Sequence, residues 1–204
     1  MIDHFALLGE ERRPWIDADS LKKRFLALSG EVHPDRVHSG GVEERRSAQH
    51  RYAELNQAYN NLRHTKERLQ HLLELETGVK PQQVQHVPAD LMEFFIEVGH
   101  FFKQVDVFLV EKAKTSSPLL QVQLFERGQD WTDKLNTLHH QLKARQQELI
   151  EELKTLDARW PAERKPGSTG RESLLRRLED LYRLFSYYAK WETQIQERSL
   201  QLSL

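Results

Sequence analysis

The chain has 204 residues, no Cys and a net charge of −1, with 30 basic residues against 31 acidic ones. The lack of Cys excludes disulfides, a thiol nucleophile and Cys-ligated zinc or iron–sulfur sites on this chain. The balanced charge gives no argument for nucleic acid or an anionic membrane as a partner, and sparse Gly and Pro favour an all-α fold.

The first 76 residues predict four helices with a hairpin at their centre. A short helix is expected over residues 3–8 and another over residues 65–76. Between them, two segments repeat apolar residues every three or four positions, which predicts two amphipathic helices that pack antiparallel. The apolar faces are Leu21, Phe25, Leu28 and Val32 in the first segment, and Ala48, Tyr52, Leu55, Tyr59 and Leu62 in the second.

The sequence His33-Pro34-Asp35-Arg36 connects the two helices of this hairpin. Pro34 disfavours helical backbone at His33 and has no N–H to donate, so the helix before it ends at an exposed corner. An imidazole and a carboxylate on such a corner can contact another molecule, although Asp after Pro is also common in ordinary helix-ending turns. Three basic residues stand near the start of the preceding helix: Lys22, Lys23 and Arg24.

The second half of the chain predicts three longer helices. Gly78, Pro81 and a Gln-rich run indicate a linker over residues 78–88. Heptad-like apolar spacing then predicts an antiparallel three-helix bundle with long, coiled-coil-like helices over residues 89–204. The expected domains are therefore residues 1–77 and 89–204.

No pattern in the chain predicts catalysis, a metal or a cofactor. The adjacent His139 and His140 point in different directions on a helix and have no acid partner at metal-ligand spacing. The loop at residues 166–170 lacks the Lys and the preceding strand of a phosphate-binding loop. The early acidic residues and the absence of a long apolar run argue against a targeting peptide or a membrane span, so a cytoplasmic location is expected.

The N-terminal region resembles the J domain of DnaJ-type co-chaperones. Phe25, Leu28, the His-Pro-Asp-Arg corner and the string Leu55-Asn56-Gln57-Ala58-Tyr59 stand in the order of that domain. The chain is more closely similar to the HscB family, the co-chaperones of iron–sulfur cluster assembly. Three stretches carry this resemblance, namely residues 4–9, residues 56–64 and residues 66–75.

The resemblance implies a partner rather than a reaction on this chain. It implies that the corner at residues 33–36 contacts a DnaK/HscA-type ATPase chaperone and stimulates its ATP hydrolysis. The basic residues 22–24 would steer the hairpin toward an acidic patch, or would simply form a solvated face. Leu26, Ala27 and Glu31 occupy positions where J domains often carry basic residues, which leaves open which chaperone is used.

In the HscB family, the C-terminal helices bind the iron–sulfur scaffold protein through a helix that opens with Leu-Met. Leu91 and Met92 match this pair, and we expect them, with Phe95, to be apolar anchors for a client or else part of the bundle core. The family pattern continues with acidic residues on the exposed face, whereas only Glu97 is clearly acidic in this stretch of the chain. The other residues there include Phe94, Phe95, Ile96, Gly99 and Lys103. A different client, a homodimer through the bundle, or an adaptor with an inactive hairpin are therefore the alternatives.

Overall fold

The computed structural model describes residues 2–33, 41–81, 89–115, 117–163, 165 and 167–203. Within these ranges the chain forms seven α-helices and no β-strand, which confirms the predicted all-α class. The helices are α1 (His4–Leu7), α2 (Ala18–Glu31), α3 (Val42–Arg63), α4 (Thr65–Thr77), α5 (Ala89–Lys114), α6 (Pro118–Glu163) and α7 (Arg171–Ser203). No helix within the described ranges is long and apolar enough to cross a membrane.

Short-range signals in the sequence account for several helix ends. Asp3 and Asp17 each accept hydrogen bonds from backbone N–H groups in the first turns of α1 and α2, at 2.9 to 3.2 Å. These carboxylates satisfy donors that have no partner within the helix. Helix α4 ends at Gly78, whose φ of +73° is a left-handed conformation that Gly adopts without strain.

The long helix α6 ends later than the sequence predicts. The apolar pattern predicts a helix from about Pro118 to Trp160 that stops before Pro161, but α6 continues to Glu163. Pro161 lies in the last turn, so its missing N–H removes a single helical hydrogen bond. Trp160 is buried, and its indole N–H donates to the carbonyl oxygen of Arg12 at 2.6 Å, which holds this turn in place.

The chain divides into two compact units. The first unit contains Met1–Gln82 and Ile150–Tyr182, and the second contains Gln83–Leu149 and Arg183–Leu204. Helices α6 and α7 therefore contribute residues to both units. This division is not the one drawn from the sequence, and the domain boundaries 1–77, 78–88 and 89–204 stay a prediction.

The first unit is built around α3, which packs against α1, α2 and α4. The predicted apolar faces of α2 and α3 meet in this core, which confirms the hairpin. Residues 150–182 belong to the same unit, and the Arg171 guanidinium pairs with the Glu76 carboxylate at 3.2 Å. The largest side chains with almost no exposure in this unit are Phe5, Leu8, Leu21, Leu62, Leu69, Leu72, Leu153, Leu178 and Leu181.

The second unit contains three helical segments, and consecutive segments run antiparallel to each other. Phe94 lies under the Arg145 guanidinium at 4.1 Å, and the Glu111 carboxylate pairs with Arg127 at 2.6 Å, so α5 and α6 run in opposite directions. Helices α5 and α7 run parallel, because α5 contacts Trp191 near its start and Leu202 near its end. These directions match the predicted three-helix arrangement.

The buried face of α5 differs in part from the predicted stripe. Heptad spacing predicts one apolar stripe on α5, but Phe94 and Phe108 replace two of its members on the buried face. The predicted stripe is Leu91, Phe95, Val98, Phe102, Val105 and Leu109. The other four residues of the stripe are buried as predicted, whereas Phe95 is on the surface. The apolar residues on α5 cover more than one face, so spacing alone did not decide between Phe94 and Phe95 or between Phe108 and Leu109.

Two buried histidines pack against each other between α1 and α4. The backbone N–H of His4 donates a hydrogen bond to Nε2 of His71 at 3.1 Å, and the ring centroids are 4.4 Å apart. Burial, with a smaller contribution from His4, holds the pKa of the His71 imidazole at about 4. Burial also lowers the pKa of His4. A proton on His71 Nε2 would remove the acceptor of this hydrogen bond and bury a charge.

We expect the free energy of unfolding to fall by roughly 3 kcal/mol as the pH decreases from about 6.5 to about 4. In the unfolded chain His71 binds a proton near the ordinary histidine pKa of about 6.5, whereas in the folded chain it does so only near a pKa of about 4. The unfolded state therefore binds more protons in this window, and folding stability is lost as the pH falls. Urea denaturation followed by circular dichroism across this pH range measures the change.

The control for this pH effect is a pair of His→Gln variants, since an amide does not titrate in this range. His71→Gln is expected to reduce the pH-dependent loss of stability. His140→Gln changes an exposed ring on α6 and is expected to leave the loss unchanged. A loss of the same size in His71→Gln would contradict the assignment to the buried pair.

Candidate partner-binding surfaces

The hairpin of α2 and α3 is held together by aromatic and aliphatic contacts. The rings of Phe25 and Tyr59 stack at 4.4 Å with an interplanar angle of 12°. Leu21 and Leu55 are buried on the same two faces. The apolar stripes that predicted the hairpin therefore bring its two helices together and fix where the connection between them begins.

His33 lies directly after the C-cap of α2, where this connection begins. Its imidazole meets the ring of Tyr52 on α3 edge-on, with 5.4 Å between ring centroids and an interplanar angle of 84°. Tyr52 therefore positions the histidine from the opposite helix. The rest of the predicted corner, Pro34, Asp35 and Arg36, lies outside the described residues.

The three basic residues at the start of α2 do not share one environment. Lys22 and Lys23 are exposed, and neither forms an ion pair with any residue that the structure describes. Arg24 pairs with the Glu10 carboxylate at 3.2 Å, and its guanidinium also donates to the carbonyl oxygen of Gly9. Arg24 thus fastens the segment between α1 and α2, whereas Lys22 and Lys23 remain available to a partner.

The three predicted client anchors on α5 also differ in exposure. Leu91 is only 5% exposed and belongs to the core of the second unit, whereas Met92 is 45% and Phe95 37% exposed. The Phe95 ring is supported by Tyr187 and Trp191 of α7, with centroids 5.9 and 6.1 Å away. A client can touch Met92 and Phe95 directly, but it can reach Leu91 only if neighbouring side chains move.

One exposed residue of this surface was absent from the predicted anchors. Ile96 is 53% exposed and lies one turn from Met92 on α5. Ile96 follows Met92 by four residues, and this spacing predicts that the two side chains lie on the same face of the helix. Among the described residues, no three His, Asp or Glu side chains come together in a way that could hold a metal ion.

The arrangement of the chain is similar to that of two solved structures. The chaperone HscB from Vibrio cholerae superposes with a TM-score of 0.62 at 19% identity, covering 96% of this chain and 96% of that one. The human co-chaperone protein HscB superposes with a TM-score of 0.60 at 18% identity, covering 96% of this chain and 81% of the human one. No family model matches the sequence. The resemblance to HscB is therefore confirmed as a shared fold over nearly the whole chain.

Proposed function

We propose that this chain is a J-domain co-chaperone. It binds a DnaK/HscA-type ATPase chaperone through the corner at residues 33–36, stimulates ATP hydrolysis by that chaperone, and delivers a client to it. The observation that carries the proposal is the HscB-like fold over 96% of the chain, combined with a His-Pro-Asp corner on its hairpin. The chain itself supplies no catalytic group to the reaction.

The environment of His33 supports this role for the hairpin. The contact with Tyr52 restricts the imidazole before any partner arrives, so less side-chain entropy is lost on binding. The exposed Lys22 and Lys23 add a positive field that raises the rate of encounter with an acidic surface. Arg24 contributes less to this field than predicted, because Glu10 neutralises its charge.

The proposed client is the iron–sulfur scaffold protein, bound at the exposed part of α5. Met92 and Phe95 offer apolar area that water covers in the free protein, and Leu91 supports them from the core. Apolar anchors of this kind contribute most of the energy in many interfaces. Lys103 favours the alternative that the client is a different protein, because a cation here selects a partner of the opposite charge.

The test of the chaperone interaction is an ATPase measurement with purified proteins. We expect the steady-state ATP hydrolysis of a DnaK/HscA-type chaperone to rise when this protein is added. His33→Gln should reduce the stimulation at least tenfold, because the amide keeps part of the side-chain shape but lacks the aromatic ring that Tyr52 positions. The control is His140→Gln, an exposed substitution in the second unit, which should stimulate as wild type does.

Two results would overturn parts of the proposal. If the wild-type protein stimulates no chaperone of this class, the co-chaperone role is wrong. If His33→Gln stimulates as strongly as wild type, the corner is not the contact that triggers hydrolysis. A pull-down with the purified iron–sulfur scaffold then tests the client, and its failure would favour the different-client alternative.

A further inference from the structure

Exposed apolar side chains are concentrated in one part of the second unit. Of thirteen large apolar side chains exposed in the described part of the chain, eight lie between residues 92 and 125, which makes this region a candidate interface. They are Met92, Phe95, Ile96, Val107, Val110, Leu120, Val122 and Phe125. The proposed client anchors account for only the beginning of this region.

Most of the α5 residues in this set lie on a single straight stripe. Counted from Met92, the stripe passes through Ile96, Gly99, Lys103, Val107 and Val110. Equivalent positions recur after 11 residues, a period close to that of an undistorted helix, so the stripe follows α5 without winding around it. From Met92 to Val110 it extends about 27 Å along the helix axis. An interface of this shape suits a second helix laid alongside α5.

The stripe ends at an apolar groove formed by α5, α6 and α7. The groove has a volume of about 1060 Å³, and its apolar lining includes Leu109, Val110, Leu124, Phe125 and Leu202. Val110 is 52% and Phe125 is 66% exposed, so the groove is open to a partner. Its size exceeds that of one side chain and suits several apolar side chains from one face of a helix.

The two charged side chains that line the groove already form contacts within the chain. Asp106 accepts from the Arg198 guanidinium at 2.8 Å, and the Lys112 ammonium donates to the carbonyl oxygen of Leu202 at 2.8 Å. What the groove offers to an occupant is therefore mainly its apolar lining. Lys103, by contrast, is exposed and forms no ion pair with the described residues. A side chain at Gly99, one turn before Lys103, would meet open space.

Lys103 distinguishes between the possible occupants of this surface. In a symmetric antiparallel pair of α5 helices centred on the stripe, the two Lys103 residues would lie about 6 Å apart along the axis. In a parallel pair they would face each other. Either arrangement brings two ammonium groups together at an apolar interface, so Lys103 disfavours a second copy and favours a partner that supplies a carboxylate.

We propose that the stripe and the groove together bind an amphipathic helical segment of a client protein. The segment carries one carboxylate that pairs with Lys103, and an apolar cluster about two helical turns away that fills the groove at Val110 and Phe125. The identity of this partner as a client rests on the proposed co-chaperone function. The binding itself follows from the apolar stripe, the groove and the charge of Lys103.

The test uses the full-length protein and two synthetic amphipathic peptides of about 19 residues, a length that matches the stripe. One peptide has Leu along one face and a single Glu at its centre, and the other has Lys in place of that Glu. Fluorescence anisotropy is expected to show at least tenfold tighter binding of the Glu peptide. Lys103→Glu should reverse this preference, a result that a purely apolar contact would not produce.

Groove variants test the second half of the proposal. Phe125→Asp and Val110→Asp are each expected to weaken binding of the Glu peptide at least tenfold. Both side chains are exposed, so circular dichroism should show an unchanged melting transition. Leu26→Asp, at an exposed apolar residue of α2, is the matched control and should leave peptide binding unchanged.

Three outcomes would overturn the inference. The first is equal binding of the two peptides, and the second is unchanged peptide binding by Phe125→Asp. The third is a wild-type dimer in sedimentation that Phe125→Asp converts to a monomer, because a second copy would then occupy the groove. Peptide binding needs no chaperone. If the protein binds the Glu peptide but stimulates no ATPase, this inference stands and the co-chaperone proposal is wrong.

Discussion

Replacement of Asp157 by Ala is expected to lower the free energy of unfolding by about 4 kcal/mol. The Asp157 side chain is only 4% exposed. Its Oδ1 accepts hydrogen bonds from Nε of Arg13 and from the backbone N–H of Trp15, both at 3.1 Å, and its Oδ2 accepts from Nη2 of Arg13. The carboxylate also favours the charged form of buried Arg68. Its removal leaves Arg13 unpaired, the Trp15 N–H without an acceptor, and Arg68 without its nearby counter-charge.

Urea denaturation followed by circular dichroism measures this loss. Asp157→Asn keeps the shape and one acceptor oxygen, so it should cost about half as much as Asp157→Ala. The matched control is Glu151→Ala on the same helix, where the exposed carboxylate pairs with Lys154 at 2.9 Å. This control should change stability by less than about 0.5 kcal/mol. A loss below about 1 kcal/mol in Asp157→Ala would contradict the structural role of the carboxylate.

Replacement of Arg68 by Ala is expected to have a similar effect, a loss of about 4 kcal/mol, for a different reason. Arg68 is 4% exposed and donates to the carbonyl oxygens of Pro14 and Leu62 at 2.9 and 2.8 Å. The Leu62 carbonyl is in the last turn of α3, where no helical N–H follows to bond it. Truncation leaves both oxygens buried without a donor and opens a cavity where the side chain was.

The opposing effect is the cost of burying the Arg68 charge. Burial lowers the pKa of the guanidinium to about 10, so it stays protonated at neutral pH while its charged form is disfavoured. We expect the hydrogen bonds to outweigh this cost, because the one guanidinium group donates to two buried backbone carbonyls. Arg68→Lys should be intermediate in stability, since one ammonium cannot reproduce that fork.

Denaturant unfolding of Arg68→Met separates the two effects for Arg68. Met fills much of the volume without a charge, so a stability equal to wild type would mean that the burial cost cancels the hydrogen bonds, contrary to our expectation. Lys66→Ala on the same helix is the control. Its ammonium pairs with the partly exposed Glu67 carboxylate at 3.2 Å, so its loss should be within about 0.5 kcal/mol.

The hairpin at the candidate site was predictable because its signals are local. The Phe25 and Tyr59 stripes specify which faces of α2 and α3 meet, and their rings do stack. The contact between His33 and Tyr52 could not be predicted from the sequence, although Tyr52 lies on the predicted apolar face of α3. Periodicity assigns a residue to a face, but it does not specify which residue on the opposite helix it touches.

The surface on α5 shows where periodicity was insufficient. Helix α5 carries apolar residues around most of its circumference, so the choice of buried face depended on the positions of α6 and α7. Phe94 became a core residue because Trp191 and Arg145 meet it there, and Phe95 was left on the surface. Leu91, for which the sequence left open a client anchor or a core position, lies in the core.

By itself, the sequence determined the all-α class, the succession of helices along the chain, the hairpin, and the resemblance to HscB. These features depend on neighbours three or four positions apart and on local capping residues. The Asp17 carboxylate caps the start of α2, and Gly78 ends α4 in a left-handed conformation. Only the tertiary structure decided that residues 150–182 share a unit with the N-terminal helices, and that Arg68 and Asp157 are buried. A charged residue is exposed by default, and only partners distant in sequence, such as Pro14 for Arg68 and Arg13 for Asp157, make its burial favourable.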